Sequence, residues 1–403
     1  MFKRKKNDHL KMEEDIYCIS AKEYAELDKD ERSLWTPVKA KYERIPKICF
    51  VALAFAMFCA IIYLISCIST DFADFVNLRV GTAVRFVLAQ ISSILPFSIA
   101  ELIIILLPFI AFIVIWYLLK YRCETRRSSL VSIVCILSVL SIFLSTFVLC
   151  LGVGYKGSTL DKKLDLDAEP IGKEELAATT EYLVEKINEL TPKVYFDGNN
   201  FSNMPYSFDE MNRKLLDAYD IFEKDHDFII NFNSKLKSVM ISEVMSYAHI
   251  AGIYSFFTGE SNINVNLPDY TIPYTAAHEL AHQRGIARED EANMVAFLVC
   301  IGSHDPYIQY SAYVNMYEYV AAALQRADSA EYKRISKKLH LAVYNEQIAY
   351  GEFFKKYQKS VTSKVSGTVN DVYLKTQGTV GRKSYGMVVD LTVAYYKSRE
   401  IID

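Results

Sequence analysis

Three residues in the segment Thr275–Phe297, TAAHELAHQRGIAREDEANMVAF, have types and spacing suited to metal chemistry: His278, Glu279 and His282, an H-E-x-x-H motif. On a helix, residues four apart share one face about a turn from each other, so two imidazoles so placed can chelate one zinc ion. Glu279 stands beside the first imidazole, where it can take a proton from a water at the metal. Histidine is scarce, seven in 403 residues, so the motif is an improbable accident. Its neighbours Thr275, Ala276, Ala277, Leu280 and Ala281 are small or apolar, as a helix packed beneath a cleft requires.

A catalytic zinc takes a third protein ligand and leaves a fourth position open. Gly285 can end the helix in a left-handed conformation. The chain then restarts as Arg288-Glu289-Asp290-Glu291-Ala292-Asn293. Glu289 is the expected third ligand, Glu291 the alternative and Asp290 a weaker one. Acidic residues also suit the first turn of any helix. Asn293, one turn beyond Glu289, is placed to hydrogen-bond a ligand histidine.

H-E-x-x-H followed by E-x-E-A-N resembles the glutamate-ligand zincins, the gluzincins. The resemblance implies zinc held by His278, His282 and Glu289, with Glu279 as general base in peptide hydrolysis. The gap from His282 to Glu289 is shorter than in thermolysin-like enzymes and closer to the metzincin spacing, in which a histidine would stand at Arg288. The stretch from Gly252 to Asn293 more closely resembles an uncharacterised family of bacterial membrane proteins with a zincin-like outer domain. In zincins a strand before the zinc helix binds the substrate backbone, and a tyrosine or histidine facing the metal steadies the oxyanion. The resemblance gives the first role to the strand carrying Asn262, Asn264 and Asn266, whose alternation with Ile263, Val265 and Leu267 reads as an exposed edge. It gives the second to Tyr385, with Arg382 next, in a loop entering the last helix.

These residues must be positioned by the rest of the chain. Residues 1–45 are polar with a basic start, Lys3-Arg4-Lys5-Lys6, and read as a cytoplasmic tail with a helix from Ala21 to Leu34. Residues 46–155 hold three apolar runs, Ile48–Ile68, Ile99–Leu119 and Leu130–Val153, each long enough to cross a bilayer at about 20 residues. Val80–Phe97, interrupted by Arg85 and Pro96, reads as an amphipathic or re-entrant piece at the interface. Lys39, Lys41, Arg44 and Lys47 precede the first span, and Lys120, Arg122, Arg126 and Arg127 separate the second from the third. The positive-inside bias therefore puts the amino terminus in the cytoplasm and everything beyond Tyr155 outside, as in a multi-pass protein of the cell membrane.

Residues 156–172 form a charged linker, and residues 173–403 an extracytoplasmic domain. Helices are expected over Lys173–Leu190, Phe208–Glu223, Tyr307–Arg326, Ala330–Lys359, Val361–Gln377 and Ser384–Ile401, and over Leu236–Tyr247 a helix or a helix passing into strand. The fold class is a mainly α membrane protein: three transmembrane helices, then a mostly helical, zincin-like α+β domain with a small sheet. Of eight cysteines only Cys300 lies in that domain, so it holds no internal disulfide, and no C-x-x-C pair offers a thiolate site. A net charge of −3 leaves no footprint for nucleic acid, and no motif points to a nucleotide. The expected function is zinc-dependent peptide hydrolysis, with the bilayer and a peptide or protein as partners. The alternative is a membrane-tethered binding or scaffold protein whose zinc is structural or vestigial. A purely signalling role through ion or proton movement is disfavoured, because Glu101 is the only notable charge in the spans.

Overall fold

A computed structural model describes residues 45–121, 126–167, 171–358, 360–377 and 387–402. The expected helix in the tail from Ala21 to Leu34, and the loop with Arg382 and Tyr385, lie outside the described residues.

Three helices are long and apolar enough to cross a membrane: Lys47–Ser66, Ile99–Leu119 and Ser129–Gly152. Helix α1 (Lys47–Ser66) leads into α2 (Thr70–Phe75), a π-helical turn (Val76–Gly81) and α3 (Thr82–Ser93). The other two spans belong to α4 (Ile99–Tyr121) and to α5 (Arg126–Phe147) with its π-helical continuation Val148–Gly152. Then come α6 (Leu160–Lys163), α7 (Lys173–Leu190), α8 (Phe208–Asp225), α9 (Ser242–Tyr247), α10 (Ile272–Gln283), α11 (Glu289–Ile301) and α12 (Pro306–Ala327). The chain closes with α13 (Ser329–Ser336), α14 (Leu341–Lys355), α15 (Val361–Thr376) and α16 (Val388–Ser398).

The expected helix over Ala330–Lys359 is two. His340 breaks it because its Nδ1 accepts the Ala342 N–H at 3.2 Å and so caps a new helix. The stretch Leu236–Tyr247 begins as strand β1 (Lys237–Ser238) and only then turns helical.

The chain forms two compact units. One comprises, among the described residues, 45–57 with 105–121 and 126–144, parts of α1, α4 and α5, where Ser138 Oγ donates to the Cys49 carbonyl at 3.4 Å. The other comprises Phe58–Ile104 with all residues from Ser145 onward. Its core gathers Leu183, Ile187, Leu215, Tyr219, Leu280, Phe297 and Leu324, all fully buried.

The small sheet of this second unit has the order β1, β3 (Glu260–Ile263), β2 (Gly252–Ser255). β1 pairs parallel with β3, and β2 pairs antiparallel with it, Ile253 opposite Asn262 and Tyr254 opposite Ser261. The strand expected at an exposed edge is thus the central one, buried at every position. The alternation misleads because the asparagines are engaged by hydrogen bonds within the fold, Asn262 and Asn264 buried and Asn266 half-buried. Asn262 donates to the Ile253 and Glu260 carbonyls, Asn264 to the Ile250 carbonyl and Ser246, and Asn266 to Ser246 and Tyr357.

This unit encloses polar groups next to the spans. Arg85 is fully buried. Its guanidinium donates to the side-chain oxygen (2.9 Å) and the carbonyl (2.7 Å) of Asn77, to Thr82 Oγ1 (2.9 Å) and to the Cys150 carbonyl (3.2 Å). The Asn77 carbonyl, inside the π-helical turn, also takes the Thr82 N–H, so it serves the helix and the guanidinium together. Asn77 in turn donates to the Gly285 carbonyl at 2.9 Å. Gly285 has φ +98°, and a Cβ there would stand 2.5 Å from Arg85 Nη2.

Two glycines therefore respond oppositely to a methyl group. Gly285→Ala is expected to lower stability by about 2 kcal/mol or more, through a left-handed backbone and a blocked guanidinium. Gly351→Ala, inside α14 with nothing within 4 Å of its Cβ, is expected to raise it by about 0.5–1 kcal/mol. Chemical unfolding of the detergent-solubilised chain measures both.

Candidate functional site

The site is built on two helices and the turn between them. Pro273 in the first turn of α10 fits where an N–H has no helical partner. At its other end the Gly285 N–H donates to the His282 carbonyl and the Ile286 N–H to the Ala281 carbonyl, both at 3.0 Å. These two bonds close a Schellman turn, which the left-handed Gly285 permits. The turn brings the Ile286 carbonyl to 2.7 Å from His282 Nδ1. A carbonyl only accepts, so Nδ1 carries the proton and Nε2 of the neutral ring presents its lone pair.

Arg288 then caps α11 in an extended conformation. Its guanidinium donates to Glu291 at 2.8 Å and to the carbonyls of Tyr155 and Gly157 at 3.0 and 3.1 Å. Glu289 opens α11 and turns toward α10.

His278, His282 and Glu289 converge, with one donor atom from each within 4.8 Å of the others. The two Nε2 atoms are 3.0 Å apart, and Glu289 Oε2 lies 3.2 Å from that of His278 and 3.5 Å from that of His282. Glu279 is buried beside them and receives the backbone N–H of Tyr254 from β2. A Cβ on Gly252 would lie 2.6 Å from Glu279 Cγ, so the strand backbone runs directly against this carboxyl. Ser261 Oγ donates to the Glu279 carbonyl at 2.9 Å and ties β3 to α10.

Burial works against ionisation throughout this group, and the charges answer it differently. Burial raises the Glu279 carboxyl above its ordinary value, although His278 and His282 oppose the rise. Burial also opposes charge on Glu289, but His282 and His278 outweigh it and hold that carboxyl well below the carboxylate range. For His282 burial is outweighed by Glu289 and Glu279, and the ion-free ring is pushed up to about 9.

The trio and Glu279 line a cavity of about 1160 Å³. Its walls include Ala248–Tyr254, Glu318 and Tyr319 of α12, Tyr373 of α15, and Leu151 and Tyr155 at the end of the third apolar helix. Burial pushes the phenols of Tyr319 and Tyr373 up to about 12, so both stay protonated and able to donate at neutral pH. The sequence reading missed both, because they sit among 28 tyrosines and only the fold turns them to this wall.

Three expected roles find different placements. Glu291 does not reach the trio. Its Oε1 is taken by Arg288 and by the Leu160 N–H at 3.0 Å, which leaves it structural. Asp290 is likewise outside the trio, its carboxyl pushed up to about 6 by burial and by Glu291. Asn293 makes no hydrogen bond to a histidine: His282 Nδ1 is engaged by Ile286, His278 Nδ1 is buried without a partner among the described residues, and the Asn293 side chain interacts with the Tyr319 phenol instead. Asn262, Asn264 and Asn266 are occupied in holding the sheet and its loops. The edge strand beside Glu279 is β2.

The fold is that of a mostly helical protein with three candidate membrane-spanning helices and a small mixed sheet. Residues 80–393 match a family model described as a protein of unknown function, DUF3810, and the chain belongs to that family. No curated protein matches the chain, and no solved structure does.

The trio has a pH signature of its own. The folded value of His282 exceeds the value of about 6.5 for an unfolded histidine, so its stabilising contribution is complete below about 6.5 and is lost as pH rises toward 9. The thermal midpoint of chelator-treated protein should therefore fall between pH 6.5 and 9. His282→Asn should remove that part of the fall.

Proposed function

We propose that this protein is a membrane-anchored zinc metallopeptidase of zincin-like mechanism. The observation that carries the reading is the convergence of two imidazole nitrogens and one carboxylate oxygen at the wall of an open cavity, with Glu279 beside them. Around a tetrahedral zinc with bonds of roughly 2.0–2.1 Å, ligand atoms stand about 3.3 Å apart. The separations of 3.0, 3.2 and 3.5 Å bracket that value. The donor set also fits in its chemistry, since His282 is fixed in the tautomer that offers Nε2. His278, His282 and Glu289 would hold the ion.

Zinc so held supplies Lewis acidity toward a water and a substrate carbonyl. The residues of the chain do the rest. Glu279, its carboxyl raised by burial, accepts the proton of the attacking water and returns it to the leaving amine. The phenols of Tyr319 and Tyr373 face the same space and are placed to donate to a developing oxyanion. Tyr385 keeps that role as a proposal from the sequence. Strand addition along the free side of β2, in place of the asparagine strand, would lay an extended peptide past Glu279. A structural zinc is ordinarily closed off by a fourth protein ligand, and the cavity here favours catalysis over the scaffold reading.

Purified full-length chain should contain one zinc, lost in His278→Ala, His282→Ala and Glu289→Ala. Glu279→Gln should keep its zinc and lose peptide hydrolysis by about a hundredfold or more. A folded wild-type protein without zinc, or Glu279→Gln with full activity, would sink the proposal.

A further inference from the structure

The polarity of α3 is inverted relative to a helix on a water-soluble surface. Its inward face is Thr82, Arg85 and Ser92 with Ala89, all buried. Its outward face is Phe86, Val87 (52% exposed) and Ile91 (57% exposed), followed by Ile94. Phe86 meets the Phe232 ring edge-on, and Val87, Ile91 and Ile94 stay exposed. The helix joins the end of one candidate span to the start of the next.

A second exposed apolar group is bonded to the same level of the structure. Met240 (83% exposed), Ile241 and Val244 project from the loop and helix after β1. The backbone N–H groups of Met240 and Ile241 donate to the Glu101 carboxylate at 3.1 and 2.8 Å, in the first turn of α4. In return Glu260 of β3 accepts the N–H groups of Ile99 and Ala100 at 2.9 and 2.8 Å. Lys237 of β1 donates to the carbonyls of Ser92 and Leu95. These contacts fix Met240 and Ile241 within one hydrogen bond of where an apolar span begins. The wall Ala248–Tyr254 follows directly in the chain, and Leu151 of the third span lines the same cavity.

We infer that the outward face of α3 and the group Met240, Ile241 and Val244 form one lipid-contacting surface, which seats the cavity at the surface of the bilayer. The occupant is the bilayer itself, because the surface is continuous with the ends of helices whose apolar sides need lipid. The substrate class follows: a polypeptide segment already attached to the membrane, cut within about ten residues of it, some 30 Å of extended chain. This second statement rests on the hydrolase reading above. The lipid contact does not.

The test uses the full chain in phosphatidylcholine–phosphatidylglycerol vesicles, with Trp35 and Trp116 replaced by Phe and one tryptophan introduced by Val87→Trp, Met240→Trp or Tyr195→Trp. Brominated phosphatidylcholine should quench the emission of the first two variants at least twofold and leave the Tyr195→Trp variant unchanged. A Met240→Trp variant as unquenched as Tyr195→Trp would overturn the lipid contact. Native-like unfolding midpoints for the variants show that they are folded. For the substrate class, new chain ends in cells making the wild-type protein but not Glu279→Gln should map beside membrane spans or lipid anchors. Ends scattered through soluble proteins would overturn the substrate class and leave both the hydrolase and the lipid contact standing. Quenching with no new ends would overturn the hydrolase reading, and the substrate class with it, and spare the surface.

Discussion

The site depends on one turn. Between His282 and Glu289 the chain reverses so that a ring nitrogen meets a carbonyl four residues on, Ile286, and a carboxylate returns to the two imidazoles. Only a residue without a side chain fits the pivot at Gly285, where the Arg85 guanidinium presses close. The Gly285 carbonyl is itself held by Asn77. The short spacing that sets this chain apart from thermolysin-like enzymes thus has a physical counterpart: a Schellman turn, then immediately a new helix whose first residue faces back.

Around that turn the usual distribution of polarity is reversed. Arg85 lies deep among carbonyl and amide oxygens while valine and isoleucine of the same helix face outward. A buried guanidinium is costly unless its donors are met, and here two backbone carbonyls of the π-helical segments and the side chains of Asn77 and Thr82 accept from its two terminal nitrogens. The arrangement trades a conventional ion pair for a cage of neutral acceptors, which fixes position without introducing a second charge.

Much of this was legible in the sequence. The three apolar runs and the helices Lys173–Leu190 and Phe208–Asp225 follow from length and periodicity, which are local properties. The approach of Glu289 to His278 and His282 was readable because a glycine and an acidic helix start are local signals too. What was not legible depends on distant partners. Asn262 of β3 looks solvated until β1 and β2 flank it, and Asn264 and Asn266 until Ser246 and Tyr357 engage their amides. Glu291 looks as able to ligate as Glu289 until Leu160 and Arg288 claim it. Asn293 has the right spacing and the wrong surroundings.

The reciprocal carboxylates Glu101 and Glu260 bear on what can be cut from this protein and still fold. Glu260 of β3 takes the N–H groups of Ile99 and Ala100 at the start of α4, and Glu101 of α4 takes those of Met240 and Ile241 just after β1, so the start of the second apolar helix and the sheet region complete each other. Asn77 and Arg85 stand in the same relation to the Gly285 turn. A truncation that began at residue 156 would leave the Met240 and Ile241 N–H groups, the Glu260 carboxylate and the Gly285 carbonyl without these partners. Residues 173–403 thus share one compact unit with residues 58–104. Residues 77–101 supply part of that unit's interior, and the ribosome must deliver them some two hundred residues before the turn they hold is made.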